Sequence, residues 1–235
     1  MRHIDKTKIL ATNYKEWVNE LNNSGEKHPE NSKYYIDVVM NLLYCQEGVC
    51  AYTEIELCDP CHIKLEKWQD GRYVALEKIV DMDGNITYSE TKSRKIETFG
   101  TLEHFNPKLK GKKFWDWDNL FVIHSKINTA KKAQEVDNIL KPDSPGYDPF
   151  KLLAYNQKTH CFFAHPDRSE DERLRIYNMI KVLQLNYDFV HSQRKKFFNK
   201  IKKHNVVEEE LQVDQFFTAF EMVRAAKKQE KAEES

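Results

Sequence analysis

No stretch of this chain approaches the roughly 18 consecutive apolar residues of a membrane-spanning helix. Its opening residues, MRHIDKTKILATNYKEW, carry neither the apolar run nor the small-residue cleavage site of an export signal. Both absences predict a cytoplasmic protein with no membrane association. Glycine is scarce, at seven residues in 235, and none of it forms the glycine-rich loop that cradles nucleotide phosphates. No Ser-His-Asp or Cys-His spacing forms a nucleophile elbow, which sets acyl transfer aside together with nucleotide binding. There are no internal repeats. Cysteine numbers five, an odd count without an export signal, so thiols are expected rather than a disulfide framework. Net charge is missing too: 37 Lys and Arg balance 37 Asp and Glu, and bulk charge predicts no affinity for nucleic acid.

What is present is a folding composition. Apolar residues make up 40% of the chain and charged residues 31%, which predicts a folded main unit with a polar surface and some appendages. The charge is unevenly spread. Between residues 92 and 132 ten Lys or Arg stand against four acids, and between 189 and 207 six stand against none. A neutral chain therefore holds two segments suited to a basic working face.

Apolar spacing predicts helices in NYKEWVNEL and in NSKYYIDVVMNLLYCQEG, the second stopped by Gly48. RYVALEKIVDMDGNITYSET reads as two strands joined by an Asp-Gly turn. Its DMDGN lacks the later bidentate acid and helical flanks of a calcium loop, so an ordinary turn is expected. ETFGTLEHF predicts a strand ending at a histidine, WDNLFVIHSK a second strand after a basic loop, and NTAKKAQEVDNIL a helix with Asn128 near its N-cap. KPDSPGYDPF must be a turn-rich connection. The long periodic stretch from Ser169 to Asn205 reads as helical, with Ser169 and Glu172 spaced as a capping box and Ile176, Ile180, Leu183 and Leu185 packed on the core. One more amphipathic helix is expected from Asp214 to Ala226, with KKQEKAEES frayed beyond it.

Residues 100 to 132 concentrate chemistry: Glu103 next to His104, then Asn119 and Asn128 among lysines and tryptophans. Hydrolysis of a phosphodiester needs a base to take a proton from water, a cation to neutralise developing charge, and a fixed geometry for both. A histidine at a strand end titrates near neutrality, while a carboxylate and a side-chain amide oxygen suit a hard cation such as Mg²⁺. Adjacent strand residues point to opposite faces, so the strand end or a bulge at Phe105 and Asn106 must bring Glu103 and His104 to one site.

LEHFNPK, WDNLF and HSKINTAKK, in that order, resemble the signature of the HNH or ββα-metal nucleases. CAYTE at residues 50–54, the Asp-Pro turn at 148–149, the later IKVLQLN and the opening MRHI extend the resemblance over most of the chain. They make it similar to the HNH proteins of prokaryotic anti-phage systems, the PtuB component of Septu and of retron-linked systems. The resemblance implies an α+β fold, with a ββα-metal HNH core embedded in a mainly helical domain. It implies His104 as general base, Glu103 and Asn128 as ligands of Mg²⁺ or Mn²⁺, and Asn119 as the loop residue whose amide braces the hairpin. Lys112, Lys113, Lys131 and Lys132 are the candidates for contact with nucleic acid. The implied partners are the nucleic acid, an ABC-type ATPase of the PtuA kind and, in retron-linked systems, a reverse transcriptase with its nucleic acid.

Departures from the family pattern carry expectations of their own. Many HNH relatives bind a structural zinc through two Cys-x-x-Cys pairs. Here Thr53 replaces the second cysteine of the first pair, and His124 and Ile127 stand at the later pair, so no structural zinc is expected. Cys45, Cys50, Cys58 and Cys61 read as apolar thiols. His124, one turn before Asn128, reads as packing. The sequence divides into N-terminal helices at 1–48, a nuclease core at 49–155 and a helical region at 156–235. The hairpin at about 70–90 looks like an insertion into the core. Trp115 and Trp117 suit either base stacking or core packing. The competing reading of the whole chain is a degenerate HNH module that binds nucleic acid or a partner without cutting. The apolar stripe Phe216, Phe217, Phe220, Met222 and Val223 must be buried on the chain's own core or on another protein.

Overall fold

Local pairing dominates the β structure: each strand meets its neighbour in sequence, giving four two-stranded antiparallel sheets among the described residues. The computed structural model describes residues 1–24, 34–74, 76–90, 100–111, 113–203 and 211–233. Helices α1 (Thr12–Ser24) and α2 (Tyr35–Cys45) come first. Two hairpins follow, β1 (Trp68–Gln69) with β2 (Arg72–Tyr73), and β3 (Leu76–Val80) with β4 (Ile86–Glu90). Strands β5 (Gly100–His104) and β6 (Leu120–His124) then lead directly into α3 (Ser125–Lys131). The chain continues through α4 (Pro149–Leu152), the hairpin β7 (Leu153–Asn156) and β8 (Cys161–Ala164), and helices α5 (Glu170–Val182), α6 (Asp188–Lys203) and α7 (Phe217–Glu233). The fold is mixed α+β, helices with small antiparallel sheets. No helix among the described residues is long and apolar enough to cross a membrane.

Strand β6 is the centre of the core. Leu120, Phe121, Val122 and Ile123 are all fully buried, so both faces of the strand are covered. Burying side chains of this size is worth roughly 1.5–3 kcal/mol each. Helix α2 packs on β6 and presents Val38, Val39, Leu42 and Leu43. Gly48, at φ +78°, ends that segment, where a Cβ would lie 2.6 Å from the Cys58 carbonyl oxygen. The edge of β6 away from β5 is closed by an amide: Gln46 Nε2 donates to Val122 O at 2.8 Å, and Val122 N donates to Gln46 Oε1 at 2.9 Å. Ala51 N also donates to Val122 O, and Tyr52 lies against Phe105 and Phe121. The CAYTE segment is thus a wall of the β5–β6 hairpin.

The same segment fastens the C-terminal helix. Glu54 Oε1 accepts from Arg2 N at 2.7 Å and Thr218 Oγ1 at 2.5 Å, and Oε2 accepts from Thr218 N at 2.9 Å. Phe216, Ala219, Phe220 and Val223 are buried in one core cluster that also holds Ile4, Leu42, Phe121 and Ile180. The apolar stripe of α7 is therefore covered by the chain itself.

Four expectations are corrected. The stretch from Ser169 onward is two helices, because the chain turns between Val182 and Asp188 with Gln184 at φ +61°; the Ser169–Glu172 capping box is present. The pair β7–β8 was not anticipated. Helix α7 continues through KKQEKAE to Glu233 rather than fraying. Helix α3 begins at Ser125 and ends at Lys131, so AQEVDNIL lies outside it and Asn128 is its fourth residue, not its cap. The cap is His124, whose Nδ1 accepts from Lys126 N at 3.1 Å.

Replacing Glu54 with alanine would strand three donors in the interior. Chemical denaturation of Glu54→Ala is expected to show a loss on the order of 3 kcal/mol. A loss under about 1 kcal/mol, the size of an ordinary surface change, would contradict the anchoring role.

Candidate active site

The β5–β6 register runs without a bulge from Gly100 opposite His124 to His104 opposite Leu120. Phe105 N then donates to Asn119 O at 2.8 Å, extending the ladder by one bond. A regular strand sends neighbouring side chains to opposite faces, and Glu103 and His104 do diverge. Glu103 turns to the end of α3, and His104 turns to the loop between the strands. No bulge reconciles them. What they share is their position at the end of the strand, where Lys110 and Lys131 act electrostatically on both.

His104 is buried, with Nε2 2.7 Å from the Phe114 carbonyl oxygen and its ring edge-on to the Phe114 ring. A carbonyl oxygen only accepts, so Nε2 carries the hydrogen and Nδ1 of the neutral ring keeps its lone pair. Burial pushes the imidazole below its ordinary value of 6.5, against the Phe114 carbonyl, which favours the charged form. The arrangement fixes both the orientation and the tautomer of a base.

That carbonyl belongs to a loop held from several directions. Trp115 N donates to Asn22 Oδ1 at 3.0 Å, the Tyr14 hydroxyl donates to the Trp115 carbonyl, and Trp117 Nε1 donates to Lys6 O at 3.0 Å. Trp115 is fully buried, so it serves packing rather than base stacking. Asn119 closes the loop. Its Oδ1 accepts from Asn106 N at 2.8 Å, and its Nδ2 donates to Asn106 O at 3.1 Å. The amide imitates a strand residue, pairing with Asn106 on both sides.

On the other face, Glu103 Oε1 lies 2.6 Å from Lys131 Nζ. Burial pushes the Glu103 carboxyl up, and the Lys131 ammonium opposes this. No side-chain donor is hydrogen-bonded to Glu103 Oε2, and this atom is not sealed from solvent. Asn128 Nδ2 donates to Thr101 Oγ1 at 3.0 Å, which turns Oδ1 the other way, without a partner among the described residues. Thr101 and Glu103 lie on one face of β5, and Asn128 and Lys131 are one helical turn apart on α3. Two oxygen donors therefore stand on one face, a donor set that suits a hard divalent cation keeping several of its waters. Among the described residues, no three His, Cys, Asp or Glu side chains converge to hold a metal. The thiols go separate ways: Cys45 to the Lys8 carbonyl, Cys50 to the His124 amide, with burial pushing Cys58 up to about 12.

The candidate phosphate contacts separate on inspection. Lys131 is wholly buried. Lys132 is exposed at φ +53°, where the helix ends, and Lys113 is exposed, 3.9 Å from Asp116. Lys112 lies outside the described residues. Lys110, which the sequence did not single out, is exposed, has no ion-pair partner among the described residues and has its Nζ 5.6 Å from the Phe114 ring centre. Its place two residues beyond the Asn106–Lys108 turn was the available signal.

Because burial lowers the His104 pKa, the folded metal-free protein takes up this proton less readily than the unfolded chain. The stability this site contributes is present above pH 6.5 and is lost as pH falls below it. An NMR titration of the His104 ring is expected to give a midpoint below 6.5; a midpoint at or above that value would contradict the burial. No family model matches the chain, and no curated protein matches it significantly.

Proposed function

We propose that the protein is an HNH-type endonuclease that hydrolyses phosphodiester bonds of nucleic acid with Mg²⁺ or Mn²⁺. The observation that carries this reading is the His104–Phe114 hydrogen bond, which leaves Nδ1 as the proton acceptor beside a strand–helix face bearing two free oxygen donors. A divalent cation bound there supplies charge neutralisation at the phosphate. His104 Nδ1 takes a proton from water as the water oxygen forms its bond to phosphorus. The opposite P–O bond breaks, and the departing oxygen takes a proton from solvent. Lys110 contributes positive charge to the bound phosphate, and Asn119 keeps the loop closed so that His104 does not turn.

The ordered motifs of the sequence support a place for this nuclease beside an ABC-type ATPase in an anti-phage complex, since the chain carries no nucleotide-binding loop of its own. Of the two surfaces the sequence offers such a partner, α7 has its apolar stripe covered by the chain, while Val80 and Met82 of the β3–β4 hairpin are exposed. The competing reading is an HNH module that binds without cutting. It is favoured by one feature, the Lys131 ammonium that already neutralises Glu103.

Incubation of the purified protein with plasmid DNA and with total RNA, in Mg²⁺, Mn²⁺ or EDTA, separates the two. Metal-dependent cutting is expected, falling on the order of 10²-fold or more in His104→Ala with folding unchanged. Cutting by His104→Ala at the wild-type rate, or persistence of cutting in EDTA, would contradict the assignment.

A further inference from the structure

One cation in this molecule has no access to water. Lys131 ends α3 with its side chain wholly buried, and the chain leaves the helix immediately after it through Lys132 at φ +53°. Its Nζ lies 2.6 Å from Glu103 Oε1, 3.1 Å from the Phe105 carbonyl oxygen and 3.4 Å from the His104 carbonyl oxygen. An ammonium has three donors and here meets three oxygens. Nothing of it is left for a phosphate, in contrast to the exposed Lys110 and Lys132.

We propose that Lys131 is a positioning residue for the cation site, holding Glu103 Oε1 so that Oε2 is left to the divalent ion. The inference rests on the reading of Glu103 and Asn128 as metal ligands. Its physical content is a division of one carboxylate between two cations. A free glutamate must give up its rotamer freedom when it binds an ion, at a cost of about tenfold in affinity. With Oε1 fixed by the fold, that freedom is already gone. The two carbonyl contacts make the device more exact, because they tie the same ammonium to the main chain of His104 and of the residue after it. Ligand, base and helix end are thereby held by one group. A clamp that merely joined α3 to β5 would satisfy the same distances but would make no demand on which carboxylate oxygen stays free.

Calorimetric titration with Mn²⁺, without nucleic acid, tests this on the wild-type chain and on Glu103→Gln, Lys131→Met and Lys131→Arg. Lys131→Met is expected to bind Mn²⁺ at least about tenfold more weakly than wild type, with an unchanged circular dichroism spectrum. Lys131→Arg decides the matter should loss of the buried charge prevent Lys131→Met from folding. A guanidinium keeps the charge and satisfies a structural clamp, but its fork engages both carboxylate oxygens. It is therefore expected to yield a folded protein with a similarly weakened affinity. Wild-type affinity in either folded Lys131 variant, with Glu103→Gln weakened, overturns the positioning role and leaves the nuclease reading standing. Mn²⁺ binding that is absent from wild type, or unaffected by Glu103→Gln, overturns the metal reading itself and this inference with it.

Discussion

A histidine serves as a base only through the ring nitrogen that its surroundings leave unprotonated, and here one backbone carbonyl makes that choice. Phe114 O accepts from His104 Nε2, and much of the surrounding structure keeps that oxygen in place. Helix α1 contributes Tyr14 and Asn22 to the two sides of the Trp115 peptide, Lys6 receives the Trp117 indole, and Asn119 ties the loop's end to its beginning. Lys6 itself is buried, donating to Leu120 O at 3.0 Å and to Asp143 at 2.9 Å, so the N-terminal segment is anchored to β6 before it supports the loop. The helices ahead of the hairpin are thus part of how the base is oriented.

Charge follows the same logic of assigned places. Lys131 is consumed by Glu103, Lys108 pairs with Glu135 at 2.6 Å, and Lys113 lies near Asp116. Lys110 is left beside the site, and Lys195, Lys196, Lys200 and Lys202 are exposed on α6 without an ion pair among the described residues. A chain of zero net charge can therefore keep local positive fields where a polyanion would approach.

Much of this was legible in the sequence because the signals were local. The strands on either side of the basic loop, the Asp-Gly hairpin, the stop at Gly48 and the Ser169 capping box each rest on spacing or turn chemistry within a few residues. The misses lie where a residue did something its type rarely does. His160 at φ +53° turns the β7–β8 hairpin and Gln184 at φ +61° breaks the long helix, positions where glycine or asparagine would have given warning. His124 caps α3 although it is outside the usual set of capping residues, which displaced the expected helix start. Lys131 read as a surface cation because lysine is almost never fully buried unless paired. Its partner Glu103 is 28 positions away, a distance at which sequence alone carries no pairing signal.

The central claim is that the β5–β6–α3 unit brings an oriented base and a pair of oxygen ligands to one phosphate. Crystals grown with Mn²⁺ and measured at the manganese edge test it most directly. The account predicts one anomalous peak at about the 2.0–2.2 Å bonding distance of a small divalent ion from both a Glu103 oxygen and Asn128 Oδ1, with a water about 3 Å from His104 Nδ1. A peak elsewhere on the protein, or none at millimolar Mn²⁺ with Asn128 Oδ1 turned away from Glu103, would contradict it.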